Sequence, residues 1–156
     1  MHLRKEAASR HRLHRGQKSH RPLSKDYEYI SLVGEEQFAK EFKVLRDKSL
    51  RVAGDGGWDF DLGFAKVDVK TARRPRNIIV EHGKLVDSLI YCQARYDDAT
   101  DTAQLLGWAY GHELSRAYKD FGYGVLNHWL LVTQSKSMKE LKELYAPSPI
   151  QLAFKL

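Results

Sequence analysis

The sequence predicts an α/β domain, with a central mixed β-sheet of about five strands flanked by helices and preceded by a basic N-terminal extension. Three observations predict it. Phe38, Phe42 and Leu45 recur at helical spacing within residues 31–48, and polar and apolar residues alternate on both sides of Gly63 between 58 and 71. Residues 89–94 and 105–110 are nearly all apolar, as strands buried on two faces are.

The chain has 156 residues, the length of one domain, and a chain of this size buries roughly 68–70% of the surface that its unfolded form exposes. Its single cysteine, Cys92, excludes an internal disulfide framework and fits a buried structural thiol in a reducing compartment. No apolar run approaches the roughly 18 residues of a membrane span, and the charged start lacks the apolar centre of a secretory signal. A cytoplasmic protein without a membrane partner is expected.

Net charge is +6 and unevenly spread. Within residues 1–25, Arg4, Lys5, Arg10, Arg12, Arg15, Lys18, Arg21 and Lys25 oppose Glu6 alone, whereas the rest of the chain holds 18 cations and 19 acids. The leader reads either as an arm that neutralises nucleic-acid phosphates, with salt-dependent binding, or as a solvated end without fixed structure. Composition changes after Pro22, which divides the chain into a basic arm, 1–25, and a folded domain, 26–156.

The elements follow in order. Residues 31–48 form a helix on which Glu35 sits at the edge of the apolar stripe and Glu36 points away from it. An inward acid there answers either to an ion pair or the helix dipole, or to a metal. Asp55-Gly56-Gly57 is a turn, followed by two strands joined around Gly63 as a hairpin. Residues 77–80 are a third strand after Pro75 and the cluster Arg73, Arg74 and Arg76. The runs 89–94 and 105–110 are interior strands, and Asp97, Asp98 and Asp101 between them form a solvated turn, since the calcium-loop pattern is missing. His112 and Glu113 open a short helix ending before Gly122. A strand over 126–133 and a helix over 136–145, with Met138, Leu141 and Leu144 inward, close the domain.

The chemistry concentrates in the hairpin. Strand side chains alternate faces, so Asp68 and Lys70 stand on one face about 7 Å apart while Val67 and Val69 face the core. Acid-x-Lys also occurs at Glu41-Phe42-Lys43 and Glu140-Leu141-Lys142, but on helices, where the charges are solvated faces. Only Asp68-Val69-Lys70 lies on a strand, with Asp59 on its neighbour and Glu35 upstream. Two acids from adjacent strands beside an ammonium can hold a hard divalent cation and a water aimed at a phosphate. Asp61 shares a face with Asp59; both can serve, and Asp59 is favoured because it follows the glycine turn directly. No zinc spacing links Cys92 with the histidines, and no Gly-Lys-Ser/Thr follows Gly54–Gly57 to cradle a nucleotide.

The order Gly34-Glu35, Asp59, Asp68-Val69-Lys70-Thr71 resembles the PD-(D/E)XK nuclease superfamily, the restriction-endonuclease-like fold, and especially its small phage and prokaryotic members. The resemblance runs from about residue 31 to residue 145 and leaves out the leader; Trp58 stands in place of the proline of the motif. It implies a restriction-endonuclease-like core and a Mg²⁺-dependent DNA endonuclease, with Mn²⁺ able to substitute, acting in a prokaryotic cell or a phage-infected host. It further implies that Asp59, Asp68, Glu35 and the Val69 carbonyl bind the metal, that Lys70 orients or stabilises the attacking hydroxide, and that a homodimer cuts both strands. Arg73, Arg74 and Arg76, with Arg10, Arg12, Arg15 and Lys18 of the leader, are the candidates for gripping DNA phosphates, against a basic turn and tail in water. The competing functions are a non-catalytic nucleic-acid-binding module on the same fold and a phage assembly protein whose metal is structural.

Overall fold

The computed structural model describes residues 2–14, 26–46, 57–122 and 124–146. They form an α/β arrangement of three α-helices, a four-stranded mixed sheet and a second sheet of three short strands. No helix among the described residues is long and apolar enough to cross a membrane.

Helix α1, His2–His14, lies in the basic leader, and helix α2, Tyr27–Phe42, is the first helix of the domain. The main sheet holds β1 (Phe60–Asp61), β2 (Lys66–Ala72), β4 (Ile90–Asp97) and β5 (Thr102–Tyr110) in the order β1-β2-β4-β5. Strand β1 runs antiparallel to β2, β2 parallel to β4, and β4 antiparallel to β5. The second sheet is antiparallel, with β7 (Leu126–Leu131) between β3 (Asn77–Glu81) and β6 (Lys119–Asp120). Helix α3, Met138–Tyr145, starts at Ser137, whose hydroxyl accepts the Glu140 amide.

Alternation on β2 decides which side is core. Val67 and Val69 are buried with Ile90, Cys92 and Ala94 against Ile30, Val33, Phe38 and Phe42 of α2, with Leu141 of α3 joining them. Burying such side chains contributes about 1.5–3 kcal/mol each. On the opposite face Tyr91, Leu89 and Ala109 pack against Ile78 and Val80 of the second sheet. That leaves the N-terminal half of β2, near the β1 edge, as the place where a polar face meets solvent.

Several expectations are corrected. Residues 77–81 form a strand, but it pairs with β7 in a separate sheet, so the single five-stranded sheet is two sheets. Strand 105–110 is buried on both faces as expected, Trp108 in one core and Ala109 in the other, but it lies at the edge of its sheet. Helix α2 begins and ends earlier than its apolar period implied: Lys43 adopts a left-handed conformation (φ 54°) that stops it, leaving Leu45 exposed. The helix expected after His112 is one 3₁₀ turn, Gly111–Glu113, and Leu144 is exposed.

Residues 2–14 are not a separate arm. Ala7 is buried, Leu3 packs on the main core, and the Arg4 guanidinium sits 4.0 Å from the centre of the Tyr29 ring. The amphipathic stems of basic side chains make this docking possible for so polar a helix.

Candidate functional site

Glycine sets the approach of α2 to β2. A Cβ at Gly34 would stand 1.8 Å from Thr71 Oγ1 and 3.0 Å from Thr71 Cβ, so only glycine lets the helix come this near. Glu35, the next residue, is thereby held over the strand and is 3% exposed.

On the strand side, the hairpin brings Asp59 to β2. Phe60 pairs with Val67, and the Asp59 amide donates to the Val67 carbonyl at 2.7 Å. Regular pairing gives way at this point, and the Asp59 carboxylate accepts the Val69 amide at 2.8 Å. That carboxylate therefore lies against the peptide joining Asp68 to Val69. In a strand the N–H and C=O of one residue point to the same side. The Val69 carbonyl consequently points to the same side of β2 as its amide, the β1 side, whereas the Lys70 carbonyl points to β4 and accepts from Gln93 Nε2 at 3.0 Å.

Lys70 stands on the Asp68 face with its Nζ 3.1 Å from Asp68 Oδ2 and 5.6 Å from the centre of the Tyr91 ring. The side chains of Lys70 and Asp68 are 26% and 23% exposed, open enough for a ligand to reach them. Asp61 is engaged elsewhere, accepting the Gly63 amide at 2.8 Å inside the hairpin turn. Of the two alternatives, Asp59 is the one beside Asp68.

Glu35 meets a cation of the chain itself. Arg10 of α1 donates to both its carboxylate oxygens, at 3.0 and 3.3 Å. Burial pushes the Glu35 carboxyl up to about 7, and the charge and hydrogen bonds of Arg10 oppose that rise. Arg10 is itself held up by Glu35 against its own burial, with Asp59 and Glu6 adding to the effect. The two hydrogen bonds from Arg10 favour the ionised carboxyl, against the burial that raises it. Behind it, the Arg46 guanidinium, 1% exposed as a side chain, pairs with both oxygens of Glu6 and reaches Glu36 at 3.3 Å.

The oxygens of Asp59, Asp68 and the Val69 carbonyl are a donor set of the kind that suits a hard divalent cation. Among the described residues no three His, Cys, Asp or Glu side chains form a ready-made cage. The two nearest acids carry internal cations, Arg10 on Glu35 and Lys70 on Asp68.

The basic residues divide. Arg73 is occupied by Asp26 and Asp98, at 2.7 Å each, and Arg10 by Glu35, so neither presents an unshared charge to a phosphate. Arg74 and Arg76 are exposed in the connection after β2. Arg12 lies on α1, but its side chain, like Arg15 and Lys18 entirely, is outside the described residues. Asp98 and Asp101, read as a solvated turn, are anchors: Asp98 binds Arg73, and Asp101 accepts the hydroxyls of Tyr29 and Tyr96.

Gln93 went unnoticed in the sequence. It is 3% exposed, and its amide donates to the carbonyls of Lys70 and Ala94 where the β4–β5 register shifts. A polar residue inside an otherwise apolar strand run was the available signal.

Comparison of the chain with known protein families, curated proteins and solved structures finds no match.

Proposed function

We propose that the chain is a metal-dependent DNA endonuclease of restriction-endonuclease-like type that hydrolyses phosphodiester bonds. One observation carries the reading: the Asp59 carboxylate rests on the Asp68–Val69 peptide, with Lys70 Nζ 3.1 Å from Asp68. Asp59, Asp68 and the Val69 carbonyl would hold Mg²⁺, or Mn²⁺ in its place. When bound, such an ion neutralises the phosphodiester and lowers the pKa of a water.

The chain's own residues account for the rest. Lys70 provides fixed positive charge on the face where negative charge develops, and holds the attacking water by hydrogen bonding. The ring of Tyr91 lies beside the Lys70 ammonium, and the bond from Gln93 holds the Lys70 carbonyl. Arg74 and Arg76, just past β2, position flanking phosphates. In this reading the partner is DNA, two copies form a homodimer to cut both strands, and the protein works in the cytoplasm of a prokaryotic or phage-infected cell.

A second reading, a non-catalytic nucleic-acid-binding module, is favoured by the pairing of Arg10 with Glu35 and Lys70 with Asp68, which neutralises two acids without any ion. Supercoiled plasmid incubated with Mg²⁺ or EDTA separates the two. The endonuclease reading expects nicking by the wild type with Mg²⁺ alone, and a loss of about 100-fold or more in Lys70→Ala and Asp68→Asn. DNA binding without nicking at any Mg²⁺ or Mn²⁺ concentration supports the module.

A further inference from the structure

We infer that Arg10 is an internal counter-cation of the acidic site, and that α1 must leave Glu35 before Glu35 can serve a divalent ion. The inference rests on the endonuclease reading for the ion, and on independent geometry for the helix.

Both Glu35 oxygens are taken by one guanidinium, at 3.0 and 3.3 Å. A hard cation needs those same lone pairs, and a fixed positive charge beside it repels it. Arg10 also interacts electrostatically with Asp59, and Glu35 with Asp68. Arg10 further lies 3.8 Å from Glu6, one turn earlier on the same helix.

The helix that delivers it is built to detach at modest cost. A helix of 13 residues is marginal alone in water, so α1 owes its order to docking. Its described apolar anchors are few: Ala7, buried, and Leu3, partly buried. Its polar attachments among the described residues include Glu6 to Arg46 and Arg4 over Tyr29. An element held this way belongs to the low-stability end of a structure, from which local opening proceeds without global unfolding. The proposed device thus couples two events at one carboxylate, release of α1 and loading of the ion.

Titration calorimetry with Mn²⁺ on the full chain tests it. Arg10→Gln removes the competing charge, and Ala7→Glu loosens the helix through a different contact. Both are expected to bind Mn²⁺ on the order of tenfold more tightly than the wild type. Coupling is reciprocal, so Mn²⁺ should also speed amide exchange of residues 2–14 in the wild type. Equal or weaker Mn²⁺ binding by both variants, with unchanged circular dichroism and with binding still abolished by Asp68→Asn, overturns the role of Arg10 alone. Binding insensitive to Asp68→Asn places the ion elsewhere and overturns the proposed site together with this inference.

Discussion

The carboxylate of Asp59 accepts the amide of Val69 at 2.8 Å, while the Asp59 amide donates to the Val67 carbonyl at 2.7 Å. One residue thus ties the start of the hairpin to β2 and sets a carboxylate against the Asp68–Val69 peptide, so a structural and a chemical role meet in it. Asparagine keeps an acceptor oxygen at this position but no charge. Asp59→Asn should retain thermal stability close to wild type and lose Mg²⁺-dependent nicking. Asp59→Ala should lose both, with about 1 kcal/mol of stability gone with the bond. Denaturant midpoints and plasmid assays on the same preparations check this; nicking retained in Asp59→Asn contradicts it.

Gly34 fixes how near Glu35 comes to the strand. Gly34→Ala drives a methyl into Thr71 Oγ1, at 1.8 Å, and should cost about 1–3 kcal/mol. Thr71 Oγ1 is buried and finds no hydrogen-bond partner among the described residues, so Thr71→Ala alone should cost little. Thr71→Ala should then restore part of the loss in the double variant, because Thr71 Cβ remains 3.0 Å away. Strict additivity in a urea-denaturation cycle would deny the contact.

Burial raises the Glu35 carboxyl, and Arg10 opposes the rise. A raised folded value means that the stabilising contribution is full below the ordinary value of 4.5 and fades as pH climbs through the folded one. Arg10→Gln removes the opposing charge, so the folded value rises further and the fade extends to higher pH. The variant should be less stable than the wild type near pH 8 and closer to it near pH 5. A pH-independent difference between variant and wild type, measured by urea midpoints, would show that the two groups are not coupled.

The sign reverses at Asp101. Hydrogen bonds from Tyr96 and Tyr29 hold its carboxyl below the ordinary value of 3.8. Its contribution is therefore complete above that value and lost as pH falls through the lower, folded one. The Tm gap between wild type and Asp101→Asn should stay constant from pH 5 to 7 and narrow below pH 3.8. A gap that widens on acidification contradicts the assignment. Asn is a fair probe because Asp101 sits at φ 52°, which Asn tolerates.

What was legible in the sequence was what period alone decides. Alternation around Gly63 gave the hairpin, the burial of Val67 and Val69 and the outward pair Asp68 and Lys70; the helical period gave the burial of Phe38, Phe42 and Glu35. Partnership was not legible. Nothing in residues 77–81 says that they pair with β7 instead of the main sheet, since a strand's own pattern does not name its neighbour. Arg10 looked like one of many leader cations, yet it reaches Glu35 across 25 positions, and only the docking of α1 selects it. Leu45 and Leu144 matched the apolar period but fell beyond the end, or off the buried face, of their helices.

The account stands on Asp59 and Asp68 sharing one ion at the edge of β2. Crystals grown with Mn²⁺ and measured at its absorption edge test this most directly. The account predicts an anomalous peak in direct contact with oxygens of Asp59 and Asp68 and facing the Val69 carbonyl. A peak elsewhere, or none at saturating Mn²⁺ with both carboxylates ordered, would contradict it.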